Sequence, residues 1–68
     1  MKNSERIKLI REIMGLDVKA FASLLAVHVA QVYRWESGMR EPHNSKIRLA
    51  EKYLDVKQTQ ELMRRSHD

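Results

Sequence analysis

The side chains with the most chemistry to offer lie together in the stretch His28-Val29-Ala30-Gln31-Val32-Tyr33-Arg34-Trp35. Val32 and Trp35 stand three residues apart, the spacing of one buried helix stripe, so the remaining faces of such a helix meet solvent or a ligand. Those faces carry Val29, Ala30, Tyr33 and Arg34, with His28 and Gln31 at the N-terminal end. A guanidinium, a phenol, a carboxamide, an imidazole and two small apolar groups supply hydrogen bonds and shape, but no nucleophile paired with a base. Reaction chemistry finds no better support elsewhere. No carboxylate pair is spaced for acid and base work, and no glycine-rich phosphate loop, histidine-centred triad or His-Glu-x-x-His motif occurs. The histidines His28, His43 and His67 do not share the spacing of ligands on one helix, and the chain has no cysteine. Neither an enzyme nor a metal or cofactor site is expected. Molecular recognition is.

The composition narrows the partner. Thirteen lysines and arginines against nine aspartates and glutamates leave a formal charge of +4. This balance favours a polyanion or an acidic surface. Basic and acidic residues alternate along the chain, which marks a folded surface and not a disordered arm. No apolar run approaches the ~20 residues of a membrane span, and nothing resembles a signal peptide, so a cytoplasmic protein without a membrane partner is expected. Sixty-eight residues suit one domain over 1–68.

Helices separated by tight turns must position the central stretch, because only Gly15, Gly38 and Pro42 interrupt the sequence. Ser4 is a candidate cap for a first helix in which Ile7, Ile10, Ile13 and Met14 form the buried stripe. Gly15 lets the chain leave that helix. Asp17 caps a second helix running to Leu25, with Phe21, Leu24 and Leu25 as its large apolar residues. Ala22 is small where two helices cross. A corner near Ala26 and Val27 leads to the third helix, ending about Ser37, where Gly38 and Pro42 enforce a turn. Ile47, Ala50, Tyr53 and Leu54 suggest a fourth helix, opened by His43, Asn44 or Ser45. A short fifth helix over 58–65 would be anchored by Leu62 and Met63. The pattern therefore predicts an all-α, compact four- to five-helix bundle.

Several of these residues form a recurring set. They are Ile7, Ile10 and Arg11, Gly15-Leu16, Ala22, Leu25, Val27 and Val32. The set continues with Trp35-Glu36-Ser37-Gly38, Arg40 and Pro42, then Leu49-Ala50 and Leu54. Together they resemble the helix-turn-helix family of phage repressors and Cro proteins. The resemblance implies a lambda-repressor-like architecture in which Val18–Leu25 and His28–Ser37 form a central helix-turn-helix. Its second helix would enter the major groove of double-stranded DNA. By the same resemblance Val29, Ala30, Gln31, Tyr33 and Arg34 are base-contact candidates. Arg34 would donate to guanine O6 and N7, and Val29 or Ala30 would pack on a thymine methyl. His28, Arg40, Lys46 and Arg48 are phosphate-contact candidates. Arg11 and Glu36 are expected to form a structural ion pair. The family habit of binding as two-fold dimers implies a homodimer at least on DNA, with Tyr53, Leu54, Val56, Leu62 and Met63 as interface candidates.

Three positions depart from the family pattern. Val18 replaces a glutamine that contacts phosphate, Ala26 replaces the corner glycine, and His28 replaces the Ser or Thr that caps the third helix. The implied function is sequence-specific DNA binding by a phage or bacterial transcriptional repressor or Cro-like regulator. The alternative is a helix-turn-helix protein-interaction module, such as an antitoxin, anti-repressor or adaptor, with a protein partner.

Overall fold

The chain changes direction after each of its first three helices through a residue held at positive φ. The computed structural model describes residues 1–66; His67 lies outside the described residues. Among those described, five helices and no strand form: α1 (Asn3–Met14), α2 (Val18–Leu24), α3 (Val29–Glu36), α4 (Asn44–Glu51) and α5 (Val56–Arg65). The expected all-α bundle is observed. Gly15, at φ 71°, closes α1: its N–H donates to the Glu12 carbonyl, and that of Leu16 donates to Arg11. This pair of bonds satisfies carbonyls that the helix end leaves open. The same pair recurs at the corner after α2, where Ala26 N–H donates to Ser23 and Val27 N–H to Ala22. There the left-handed residue is Ala26 itself, at φ 57°. Gly38, at φ 81°, follows α3.

The helix starts are more varied than the sequence suggests. Asp17 caps α2 as expected, its Oδ1 accepting from Ala20 N–H at 2.7 Å. His28 caps α3 with its imidazole, Nδ1 accepting from Ala30 N–H at 3.1 Å. Ser4 is not a cap. Helix α1 begins one residue earlier, with Lys2 in the capping position, and Ser4 is buried with its N–H donating to Glu41 Oε1 at 3.0 Å. A carboxylate remote in sequence therefore does the work assigned to a local hydroxyl. His43 occupies the α4 cap without a side-chain bond, and Asn44 instead accepts from Asn3 Nδ2 at 2.8 Å. Helix α5 begins at Val56, ahead of the expected residue 58, because Asp55 and Gln58 form a reciprocal capping box.

Packing centres on α1, which lies against α3, α4 and α5, while α2 packs on α3. Ile7, Ile10, Phe21, Leu25, Val32 and Leu62 are almost wholly buried, each burial contributing about 1.5–3 kcal/mol before entropy is counted. Ala22 and Ala50, also buried, let neighbouring helices approach. Two expected anchors are displaced. Tyr53 falls beyond the end of α4 and is 50% exposed, and Met63 is 64% exposed, so Leu62 alone is the fully buried anchor of α5. Helix α4 ends at Glu51, too early for Tyr53 to continue its stripe. No helix is long and apolar enough to cross a membrane.

Two measurements check the local physics. Ala26→Gly should raise the melting temperature, because a left-handed alanine costs ~1–2 kcal/mol and the added chain entropy of glycine offsets only ~0.4–1 kcal/mol. Gly15→Ala should lower it, although a Cβ there would meet nothing within 4 Å. At the C-terminal end of α5, hydrogen bonds from Arg64 and Arg65 pull the Glu61 carboxyl down to about 2. A depressed folded-state value means that this contribution is complete above the ordinary carboxylate range and disappears as the pH falls towards 2. The NMR titration of Glu61 should therefore have its midpoint about 2, returning to the ordinary range in an Arg64→Gln, Arg65→Gln variant.

Candidate nucleic-acid interface

The burial of α3 sorts its side chains. Val32 and Trp35 are inside, and Val29, three residues earlier, is half-buried and packs against the same core. The opposite side of the helix then holds Ala30, Tyr33, Arg34 and Ser37, at the i, i+3, i+4, i+7 spacing of a single face. Tyr33 and Arg34 are exposed, while Ala30 and Gln31 are half-buried. Of the base-contact candidates, Ala30, Tyr33 and Arg34 thus come together. Gln31 lies beside them, and Val29 gives part of its surface to the core.

His28 is exposed at the start of the same helix. An imidazole nitrogen that accepts a hydrogen bond carries no proton, so capping through Nδ1 leaves Nε2–H as the outward donor. Arg40 is exposed on the turn after α3, which is pinned by a bond from its N–H to the Arg34 carbonyl at 3.1 Å. Lys46 and Arg48 sit on α4, lining a groove with Ser45, Leu49 and Lys52. The four phosphate-contact candidates therefore come from three different elements: the α3 cap, the turn after α3, and α4.

What holds α3 in place is an ion pair at its far end. Arg11 Nε and Nη2 donate to the two oxygens of Glu36 at 2.6 and 2.9 Å, and Nη1 donates to the Leu16 carbonyl at 2.9 Å. Side-chain exposures of 16% and 11% put the pair largely out of solvent. The hydrogen bond to Glu36 raises the Arg11 guanidinium above its ordinary value, outweighing the opposing desolvation. One side chain thus ties α1 both to the end of α3 and to the α1–α2 turn. The turn after α3 is held from α1 as well. Glu41 accepts from Ser4 N–H, and Asn3 Nδ2 donates to the Pro42 carbonyl at 3.0 Å. The Glu41 contact and the Arg6–Glu51 ion pair at 2.8 Å join residues far apart in sequence, and no local pattern signals them.

The carboxylates are nearly all engaged. Asp17 and Asp55 cap helices, Glu41 caps α1, and Glu36, Glu51 and Glu61 hold arginines. By contrast, the side chains of Arg34, Arg40, Lys46 and Arg48 form no ion pair among the described residues. Nor do those residues contain a cluster of three or more His, Asp or Glu able to hold a metal ion.

A short helix, a left-handed corner and a second helix whose outer face is polar and cationic define a helix-turn-helix, an architecture of DNA-binding proteins. The chain belongs to the helix-turn-helix family, whose model matches residues 7–62. No curated protein and no solved structure matches the chain.

Removing one partner of the Arg11–Glu36 pair would strand a largely buried charge, costing ~3–5 kcal/mol. Glu41→Ala removes a cap, costing ~1 kcal/mol. Glu36→Ala should therefore melt well below Glu41→Ala, with equal melting temperatures counting against the pair as the main tie.

Proposed function

We propose that this chain is a sequence-specific double-stranded DNA-binding protein, a repressor or Cro-like regulator that occupies an operator in the cytoplasm. The partition of charge carries this reading. Carboxylates are used up inside the fold, while Arg34, Arg40, Lys46 and Arg48 remain unpaired around the outer face of α3 and along α4. A phosphate backbone is the partner such a distribution suits, because each phosphate neutralised releases condensed counterions. In this reading α3 enters the major groove, Ala30, Tyr33 and Arg34 face base edges with Gln31 and Val29 at the margin, and His28, Arg40, Lys46 and Arg48 hold phosphates. Neither catalysis nor a cofactor is part of it.

One recognition helix covers little DNA, and two copies on half-sites about one helical turn apart would double the contact. Tyr53, Val56 and Met63, all at least half exposed, are apolar surface that a homodimer would cover. The same exposed side chains favour a second reading, in which the domain serves as an antitoxin, anti-repressor or adaptor and docks on another protein.

Competitive binding against random duplex, repeated over a range of salt, separates the two. Regulation of an operator requires a selected site to win by about 10³ or more. Arg34→Ala should cost ~1–3 kcal/mol on that site and relax one position of it. Arg48→Ala should weaken all duplexes alike and lower the salt slope by about 0.9. A preference below tenfold, with a protein partner lost in Arg34→Ala, would favour the second reading.

A further inference from the structure

The outer face of α3 offers an unbalanced set of groups to a base pair. It contains one strong donor, Arg34, one phenol, Tyr33, and the methyl group of Ala30, with the uncovered part of Val29 adjoining. It contains no carboxylate. The single acid of α3, Glu36, has both oxygens engaged by Arg11. In the major groove cytosine presents an amino donor, which asks for an acceptor. Adenine asks for a bidentate amide, and α3 carries only Gln31, half-buried to one side. Guanine asks for a fork of donors, which Arg34 has. The C5-methyl group of a pyrimidine asks only for an apolar surface close to the backbone. Ala30 presents one in the first turn of the helix, where its own N–H is held by His28.

From this inventory we infer that the site selects a C5-methylated pyrimidine near a guanine, with Ala30 as the residue that senses the methyl group. The inference rests on the DNA-binding reading above and narrows it to a class of target. Ala30 and Arg34 are separated by about 6 Å along the helix axis, roughly two base-pair steps of ~3.4 Å. The methyl-dependent position therefore lies within about three base pairs of the guanine that Arg34 holds. The methyl group is the recognised feature, not the identity of the pyrimidine. 5-Methylcytosine should accordingly be preferred to cytosine at the position where thymine is preferred to uracil.

The test starts from the duplex that the intact chain selects from a random library. Each thymidine is replaced in turn by deoxyuridine, which removes a single methyl group. One position per half-site should lose about fourfold in affinity, the value of one buried methyl group. At that position 5-methylcytosine should exceed cytosine by a similar factor. In Ala30→Gly the thymine-to-uracil ratio should fall to near one, while the guanine preference set by Arg34 persists. Ala30→Ser keeps a Cβ for the helix, and it should give an intermediate ratio with unchanged helicity by circular dichroism. Replacements that change affinity by less than about 1.5-fold at every position overturn the inference. So does an Ala30→Gly variant that binds weakly yet keeps the full thymine-to-uracil ratio, since Ala30 would then only support the helix. A chain that selects no duplex at all overturns the DNA reading beneath it as well, and so is a distinguishable failure.

Discussion

The bidentate contact between Arg11 and Glu36 is the constraint on which the rest of this small structure depends. Helix α3 has eight residues, too few to be stable alone in water. Its inward stripe of Val29, Val32 and Trp35 fixes its rotation about its own axis. A stripe leaves sliding and tilting less determined. The guanidinium fork removes that freedom, because both oxygens of Glu36 must meet two nitrogens of a residue anchored on α1. The third Arg11 bond, to the Leu16 carbonyl, extends the same constraint to the start of the helix-turn-helix. Most of the value of such a pair lies in geometry, since a buried ion pair adds little net stability over an apolar substitute.

That constraint also explains how the surface acquires its charge. A chain of +4 could scatter its cations among surface ion pairs. Here the carboxylates serve as helix caps and structural partners at defined places. Arg6, Arg11, Arg64 and Arg65 are taken up with them, leaving the cations of α3, its following turn and α4 without partners. The electrostatic character of the outer face is thus a by-product of how the acids are spent internally.

What the sequence made legible was local. Apolar spacing in Ile7 and Ile10, Phe21 and Leu25, and Val32 and Trp35 located the buried faces, and Gly15, Asp17 and Gly38 marked boundaries through their own backbone preferences. The imidazole cap at His28 and the left-handed backbone at Ala26 were visible as departures from a familiar pattern. The unread parts depended on distant partners or on where a helix stopped. Ser4 looked like a cap because the carboxylate that replaces it, Glu41, lies 37 residues away. Tyr53 continued a periodic stripe whose helix had already ended at Glu51. Met63 adjoined Leu62, and only the docking angle of α5 decides which of the two is inside. At the candidate interface the residue types on α3 were apparent, but the sharing of Val29 between core and surface required the packed neighbour.

The polar side chains of α1 reach progressively different parts of the chain. Asn3 meets Pro42 and Asn44, Arg6 meets Glu51, and Arg11 meets Glu36. None of these partners exists when α1 first leaves the ribosome. During synthesis Arg11 must stay hydrated until residue 36 emerges, and the first turn of α1 stays open until residues 41–44 follow. The helix-turn-helix is therefore complete as a sequence before it is locked as a structure. Its final orientation is set only after chain that does not belong to the motif has been made.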